Sequence, residues 1–271
     1  MTKQRLLTAG GIAIGMIAVL LLSKISWVLP VVAAAMSVMG TYELLCITKV
    51  NCSKSWIWLY MLIAITIPLV PIPGYVQLLT ALVPLSLIIF AALMERMDKV
   101  SLDHPMAILS LVVMISLFFK SMGTLRSGEH GFLYLTMAVL VCVMTDSAAY
   151  FFGRRYGKHK MAAKISPKKT VEGALGGAVA AVCLMLLLGI LIQLCGGGIV
   201  SFKRTFLWAA VATVVAQFGD LSMSVIKRIS GAKDFSNLLP GHGGILDRFD
   251  SSLFVIPFTL VYINRFGAFI F

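Results

Sequence analysis

The segment Ser224 to Asp250, SVIKRISGAKDFSNLLPGHGGILDRFD, packs an unusual set of chemical groups between two apolar runs. It holds three carboxylates (Asp234, Asp247, Asp250), four cations (Lys227, Arg228, Lys233, Arg248) and the run Gly241-His242-Gly243-Gly244. Charge beside a membrane is too costly to be filler. These are the parts needed to hold a metal ion and a phosphate chain. Glycines let backbone amides approach an anion closely, and hard cations take carboxylate and phosphate oxygens.

The polar stripe begins earlier, inside an apolar run, where Gln217, Asp220, Ser222 and Ser224 interrupt it. Asp220, Ser224 and Lys227 are spaced i, i+4, i+7, so one helical face carries acid, hydroxyl and ammonium. Asp247 and Asp250 stand i, i+3 on the helix expected to follow the glycines. Asp220 and Asp247, from two different helices, suit a magnesium ion that keeps waters and uses one or two protein carboxylates. Each Asp taken alone also reads as a salt-bridge partner, for example of Arg248 or Arg228. His242 reads equally as a loop histidine satisfied by backbone or as a phosphate contact.

A second polar segment runs from Asp146 to Gly173. Asp146, Tyr150 and Arg154 fall four apart, on one face at the end of a span. Arg154, Arg155, Lys158, Lys160 and Lys164 follow, then Ser166-Pro167-Lys168-Lys169-Thr170. Ser166 or Thr170 is expected to cap the next helix, with Pro167 near its first turn. A helix start preceded by two lysines offers N–H groups and positive charge to a phosphate. The same basic run also reads as an ordinary topology-setting loop.

The elements that must position these groups are membrane helices. The chain has 271 residues, of which 59% are hydrophobic and 13% charged, and a mean hydropathy of +0.96, far outside the soluble globular range. A span needs about 20 mostly apolar residues. Apolar runs lie at 6–23, 27–47, 56–72, 75–94, 106–124, 131–151, 174–195, 205–223 and 253–270. The expectation is an all-α polytopic membrane protein with about nine transmembrane helices. The third and fourth runs, parted only by the segment around Pro71 and Pro73, could also form one re-entrant pair. No small-x-small site closes the first run before Ser23 and Lys24, so it reads as a span rather than a cleaved leader. Residues 1–100 read as N-terminal helices for access or dimerisation, and 101–271 as the catalytic region.

Net charge is +12. In a nine-span arrangement 17 of the 23 Lys and Arg fall on the side of both polar segments, which the positive-inside rule places in the cytoplasm together with the N-terminus. That orientation rests on the two polar segments, since the remaining Lys and Arg divide evenly. Cys46, Cys52, Cys142, Cys183 and Cys195 have no paired spacing, and no disulfide framework or zinc site follows.

Ser224-x-x-Lys227-Arg228, Lys233-Asp234-x-Ser236, Pro240-x-His242-Gly243-Gly244 and Asp247-Arg248-x-Asp250 together resemble the C-terminal motif of bacterial phosphatidate cytidylyltransferases, or CDP-diacylglycerol synthases. Asp146 to Tyr150, Gly153-Arg154, Gly157-Lys158 and Ser166 to Gly173 resemble the same family. The resemblance covers roughly residues 146–252 and implies condensation of CTP with phosphatidic acid to CDP-diacylglycerol and pyrophosphate. It also implies dependence on magnesium, a homodimer, and a polar cavity in the cytoplasmic (inner) membrane open to cytosol and lipid.

On that basis Asp220, Ser224, Lys227, Asp247 and Asp250 are the expected catalytic set. Asp220 and Asp247 hold the metal, with Asp250 and Asp146 as further ligands and room for a second, monovalent cation. Lys168, Lys169, Arg228, Lys233, Arg248, Arg154, Ser166, His242, Gly243 and Gly244 are the expected substrate contacts. Membrane lipids are expected partners and nucleic acid is not. Related readings are an isoprenoid-lipid cytidylyltransferase or a CTP-dependent polyprenol kinase. A transporter using Asp146 and Asp220 should carry repeats between its halves, and the polar residues gather instead in the second half. A non-catalytic binder of anionic lipids would use the basic loops alone.

Overall fold

A computed structural model of the chain describes residues 10, 11, 15, 18, 19, 21–48, 50, 52–196, 198–238 and 243–270. The expected first span, with Lys3 and Arg5, lies largely outside the described residues. The remaining eight apolar runs all become helices. They are α1 (Val28–Thr48), α2 (Lys54–Leu69), α3 (Tyr75–Arg96), α4 (Pro105–Ser127), α5 (Gly131–Tyr156), α6 (Val171–Leu194), α7 (Phe202–Ile229) and, after the single turn α8 (Leu246–Phe249), α9 (Ser252–Phe266). Among the described residues six are long and apolar enough to cross a membrane: α1, α3, α4, α5, α6 and α7.

The other two are shorter. At about 1.5 Å per residue α2 falls short of a ~30 Å hydrocarbon layer. It ends at the Pro-rich turn, where Gly74 takes a left-handed φ of 67°, and the buried Lys120 of α4 donates to the carbonyl of Val70 at 2.6 Å. Helix α9 is extended by α8, because Asp250 and Ser251 between them keep right-handed helical dihedrals.

Helices α5 and α6 make the closest pair in the bundle. Gly173 and Gly177 of α6 stand four apart, and a Cβ at Gly177 would sit 2.6 Å from the Thr145 carbonyl oxygen, one at Gly173 2.6 Å from that of Ala149. Small residues at this spacing let two membrane helices touch backbone to backbone. Other contacts in the bundle are made by larger groups. Phe254 of α9 meets Phe90 of α3 and Phe118 of α4 edge-on at 5.8 and 5.4 Å, and the Trp208 indole of α7 donates to Thr259 of α9 at 3.1 Å.

The fold departs from a purely helical one in a small hairpin. Strands β1 (Lys160–Ala162) and β2 (Ser166–Thr170) pair antiparallel, Lys160 opposite Thr170 and Ala162 opposite Ser166. Pro167 therefore lies in a strand and not in a helical first turn. Thr170 is the residue that caps α6, its hydroxyl accepting the Gly173 amide at 3.2 Å. Ile165 of the hairpin packs on Leu221 and Val225 of α7, and the exposed Lys164 ion-pairs with Asp98 at 2.8 Å. That carboxylate raises the Lys164 ammonium above its ordinary pKa.

Candidate active site

Four separate parts of the chain meet at one end of the bundle around a cavity of about 530 Å³. Helix α5 brings Asp146, Ser147 and Tyr150 to it, strand β2 brings Ser166, Lys168 and Lys169, and α7 brings Gln217 and Asp220. The segment around α8 adds Asp247, Arg248 and Asp250. Both polar segments of the sequence thus share one chamber.

Within it, acids and bases are interleaved. Lys169 forms an ion pair with Asp220. Ser224, one turn along α7, donates to Asp220 Oδ1 at 3.4 Å. Asp146 accepts from the Ser251 hydroxyl at 3.3 Å, and Asp250 accepts from the Ser251 amide at 2.7 Å. Asp146, Asp220 and Asp250 all line this one cavity, and carboxylates gathered in one site favour a bound cation.

Asp247 has a different environment. Its Oδ1 accepts from Lys227 Nζ at 2.6 Å, and its Oδ2 accepts from the amides of Phe235 (2.8 Å) and Gly244 (2.9 Å). Both oxygens have protein donors, and only Oδ1, with a single donor, keeps a lone pair for a further contact. Lys227 is spent on this pair and on the Phe235 ring, whose centroid lies 5.2 Å from Nζ.

The other expected substrate contacts divide. Lys168, Lys169, Arg248 and Ser166 line the cavity. Arg228 does not line it. Its guanidinium donates to the carbonyls of Ile165 and Ala232, both at 3.0 Å, and so ties the hairpin to the end of α7. Arg154 and Lys233 are exposed on the surface outside the cavity lining. Gly243 has a left-handed φ of 79°, and the Gly244 amide is given to Asp247. His242 lies outside the described residues.

One buried acid at this end was not singled out from the sequence. Glu43 of α1 is 1% exposed, and it accepts from Ser236 Oγ at 2.8 Å, Ile245 N at 2.7 Å and Leu246 N at 2.9 Å. The signal was available: Glu43 is the single charged residue between Val28 and Thr48, and a lone acid in an apolar run marks a site by default.

Among the described residues no three of His, Cys, Asp and Glu form a ready-made metal cage. Magnesium does not require one, because it is usually held by one or two carboxylates plus substrate phosphates and waters. Asp146, Asp220 and Asp250, facing one cavity with hard oxygen donors only, fit that mode.

Fold and site together define a helical membrane protein with an acid- and lysine-lined chamber at one end of its bundle. The chain belongs to the Cytidylyltransferase family, whose sequence profile matches residues 3–266. It is 43% identical over 139 residues to the phosphatidate cytidylyltransferase of Bacillus subtilis, covering 51% of this chain and 50% of that protein. To the proteins of the same name from Staphylococcus saprophyticus and Haemophilus influenzae it is 35% identical over 179 residues and 42% over 132. Those stretches cover 66% and 48% of this chain, and 66% and 45% of the relatives. The matched region thus spans about half to two thirds of these relatives' length.

Proposed function

We propose that this chain is a phosphatidate cytidylyltransferase that condenses CTP with phosphatidic acid, giving CDP-diacylglycerol and pyrophosphate. One observation carries the reading: Asp146, Asp220 and Asp250 share a single chamber with Lys168, Lys169 and Arg248. That combination suits two polyanions that must approach each other. The names of the similar bacterial proteins support the choice of substrates.

In the reaction a phosphate oxygen of phosphatidate attacks the α-phosphorus of CTP, and the bond to the β-phosphate oxygen breaks, releasing pyrophosphate. Catalysis of this kind depends chiefly on positioning and electrostatic stabilisation, so no covalent nucleophile on the protein is required. Lys168, Lys169 and Arg248 neutralise phosphate oxygens. Lys169, held by Asp220 before substrate arrives, exchanges that carboxylate for a phosphate. Lys227 keeps Asp247 oriented toward the chamber. One or two of Asp220, Asp250 and Asp146 would hold a magnesium ion. When bound, such an ion supplies charge neutralisation on the phosphate oxygens.

The chamber end of the bundle faces the cytoplasm in this reading. Support comes from Lys and Arg of the hairpin and of the segment 227–248, which gather there, and from CTP being a cytoplasmic nucleotide.

The test is turnover of labelled CTP with phosphatidate by purified protein, with and without chelator, and with isoprenoid glycerophosphate and polyprenol as competing acceptors. CDP-diacylglycerol formation that stops with chelator is the expected result. Preferential use of an isoprenoid acceptor, or no use of CTP, would overturn the proposal.

A further inference from the structure

A carboxylate buried in a membrane helix normally finds a cation, yet among the described residues no ion pair includes Glu43. It is satisfied instead by donors of one segment, about two hundred residues away in sequence: Ser236 Oγ and Ile245 N on Oε1, Leu246 N on Oε2. Hydrogen bonds to a charged acceptor are roughly twice as strong as neutral ones. Three on one buried group make a firm attachment.

The donors alternate with those taken by Asp247. Phe235 and Gly244 give their amides to Asp247, while Ser236, Ile245 and Leu246 serve Glu43. Residues 235–236 and residues 244–246 are therefore each gripped by two carboxylates from different helices, like a clasp. The fit around it is tight. A Cβ on Gly244 would stand 2.4 Å from Glu43 Oε1, and a Cβ on Gly40, one turn before Glu43, 2.9 Å from Leu246 Cδ2. Gly40 and Glu43 thus form a face of α1 shaped to receive the start of α8.

We propose that Glu43 is a positioning residue for the active site, holding Ser236 and residues 245–246 so that Asp247, and through it Lys227, keep their places at the chamber. This gives α1 a part in the reaction that its apolar sequence does not announce. The inference rests on the proposed function for its kinetic consequence, but the clasp itself is a structural statement that can be tested without substrate.

The experiment compares Glu43→Gln, Glu43→Asp and Ser236→Ala with wild type in detergent, reading steady-state kinetics and amide hydrogen exchange. Glutamine turns one oxygen into an N–H donor facing the N–H and O–H donors of the segment. Glu43→Gln is expected to lower kcat/KM for CTP about 30-fold, the loss of one or more charged hydrogen bonds, with KM for phosphatidate within about twofold. Exchange should rise in residues 235–238 and 243–246 and stay unchanged in α5 and α6. Glu43→Asp, which keeps the charge, should recover part of the loss. Ser236→Ala, which leaves two of the three donors, should lose about threefold to tenfold.

Glu43→Gln with unchanged exchange at 235–238 and 243–246, or exchange raised equally across the bundle, would overturn the inference. If that variant does not fold, Ser236→Ala decides, and wild-type values for both readouts would overturn it. Wild-type protein without turnover of CTP and phosphatidate would sink the proposed function, while the exchange comparison would still judge the clasp.

Discussion

Lys227 and Asp247, twenty residues apart on α7 and α8, form a buried ion pair of 2.6 Å whose side chains are 9% and 4% exposed. It joins α7, which carries Asp220, to the turn that carries Asp247 and leads to Asp250, and it is the joint through which the clasp on residues 235–236 and 244–246 reaches the rest of the site.

Breaking that pair from one side strands a charge. Lys227→Met or Asp247→Asn alone is expected to cost roughly 3–5 kcal/mol of stability, whereas the double replacement Lys227→Met with Asp247→Asn, which removes both charges and keeps an oxygen to accept the Phe235 and Gly244 amides, should regain part of it. None of the three should regain turnover. Thermal unfolding alongside the CTP assay checks this, and a double variant no more stable than the singles would remove the pairing argument.

The Lys169–Asp220 pair should behave differently, because its side chains are 25% and 21% exposed and both line the open cavity, where water can take the place of either partner. Asp220→Asn is expected to leave the melting temperature nearly unchanged. It should lower kcat by about 100-fold or more, in line with loss of an electrostatic group at a phosphate site. Equal losses of stability and activity would assign Asp220 a structural role only.

Chelation offers a third check. Removal of divalent ions should abolish turnover and magnesium should restore it, with Asp220→Asn or Asp250→Asn shifting the concentration needed upward by about tenfold or more. Wild-type activity in excess chelator would remove magnesium from the scheme.

Gly177→Val places a side chain where only 2.6 Å separates its Cβ from the Thr145 oxygen. Forcing α5 and α6 apart is expected to cost about 1–3 kcal/mol, the usual range for overpacking. It should also lower kcat, since Asp146 follows Thr145 on the same helix and Lys169 precedes α6. Both effects are read from the unfolding curve and the CTP assay. A variant as stable as wild type would mean the helices can separate freely there.

Much of the site was legible before any coordinates. Asp146, Asp220, Asp247 and Asp250 are conspicuous because a charge in an apolar run has no cheap explanation, and all four line the chamber. Thr170 as a helix cap was legible as one of two choices, since capping is a local property. The β1–β2 hairpin was not, because a three-residue strand in a run of lysines shows no periodicity until its partner is beside it. Glu43 was passed over because its donors lie in another part of the chain. Arg228 looked like a phosphate ligand, yet it spends its guanidinium on two carbonyls, a choice made by packing and not by residue type.

By itself the sequence determined that this is a bundle of membrane helices with two polar segments suited to phosphate chemistry. Hydropathy and charge density are properties of neighbouring residues, and lipid admits few ways to bury a backbone. Only the tertiary structure decided which carboxylates stay open to the chamber and which are consumed in holding it. That division depends on which donors come within hydrogen-bond reach across helices, as Glu43 and Ser236 do over 193 positions.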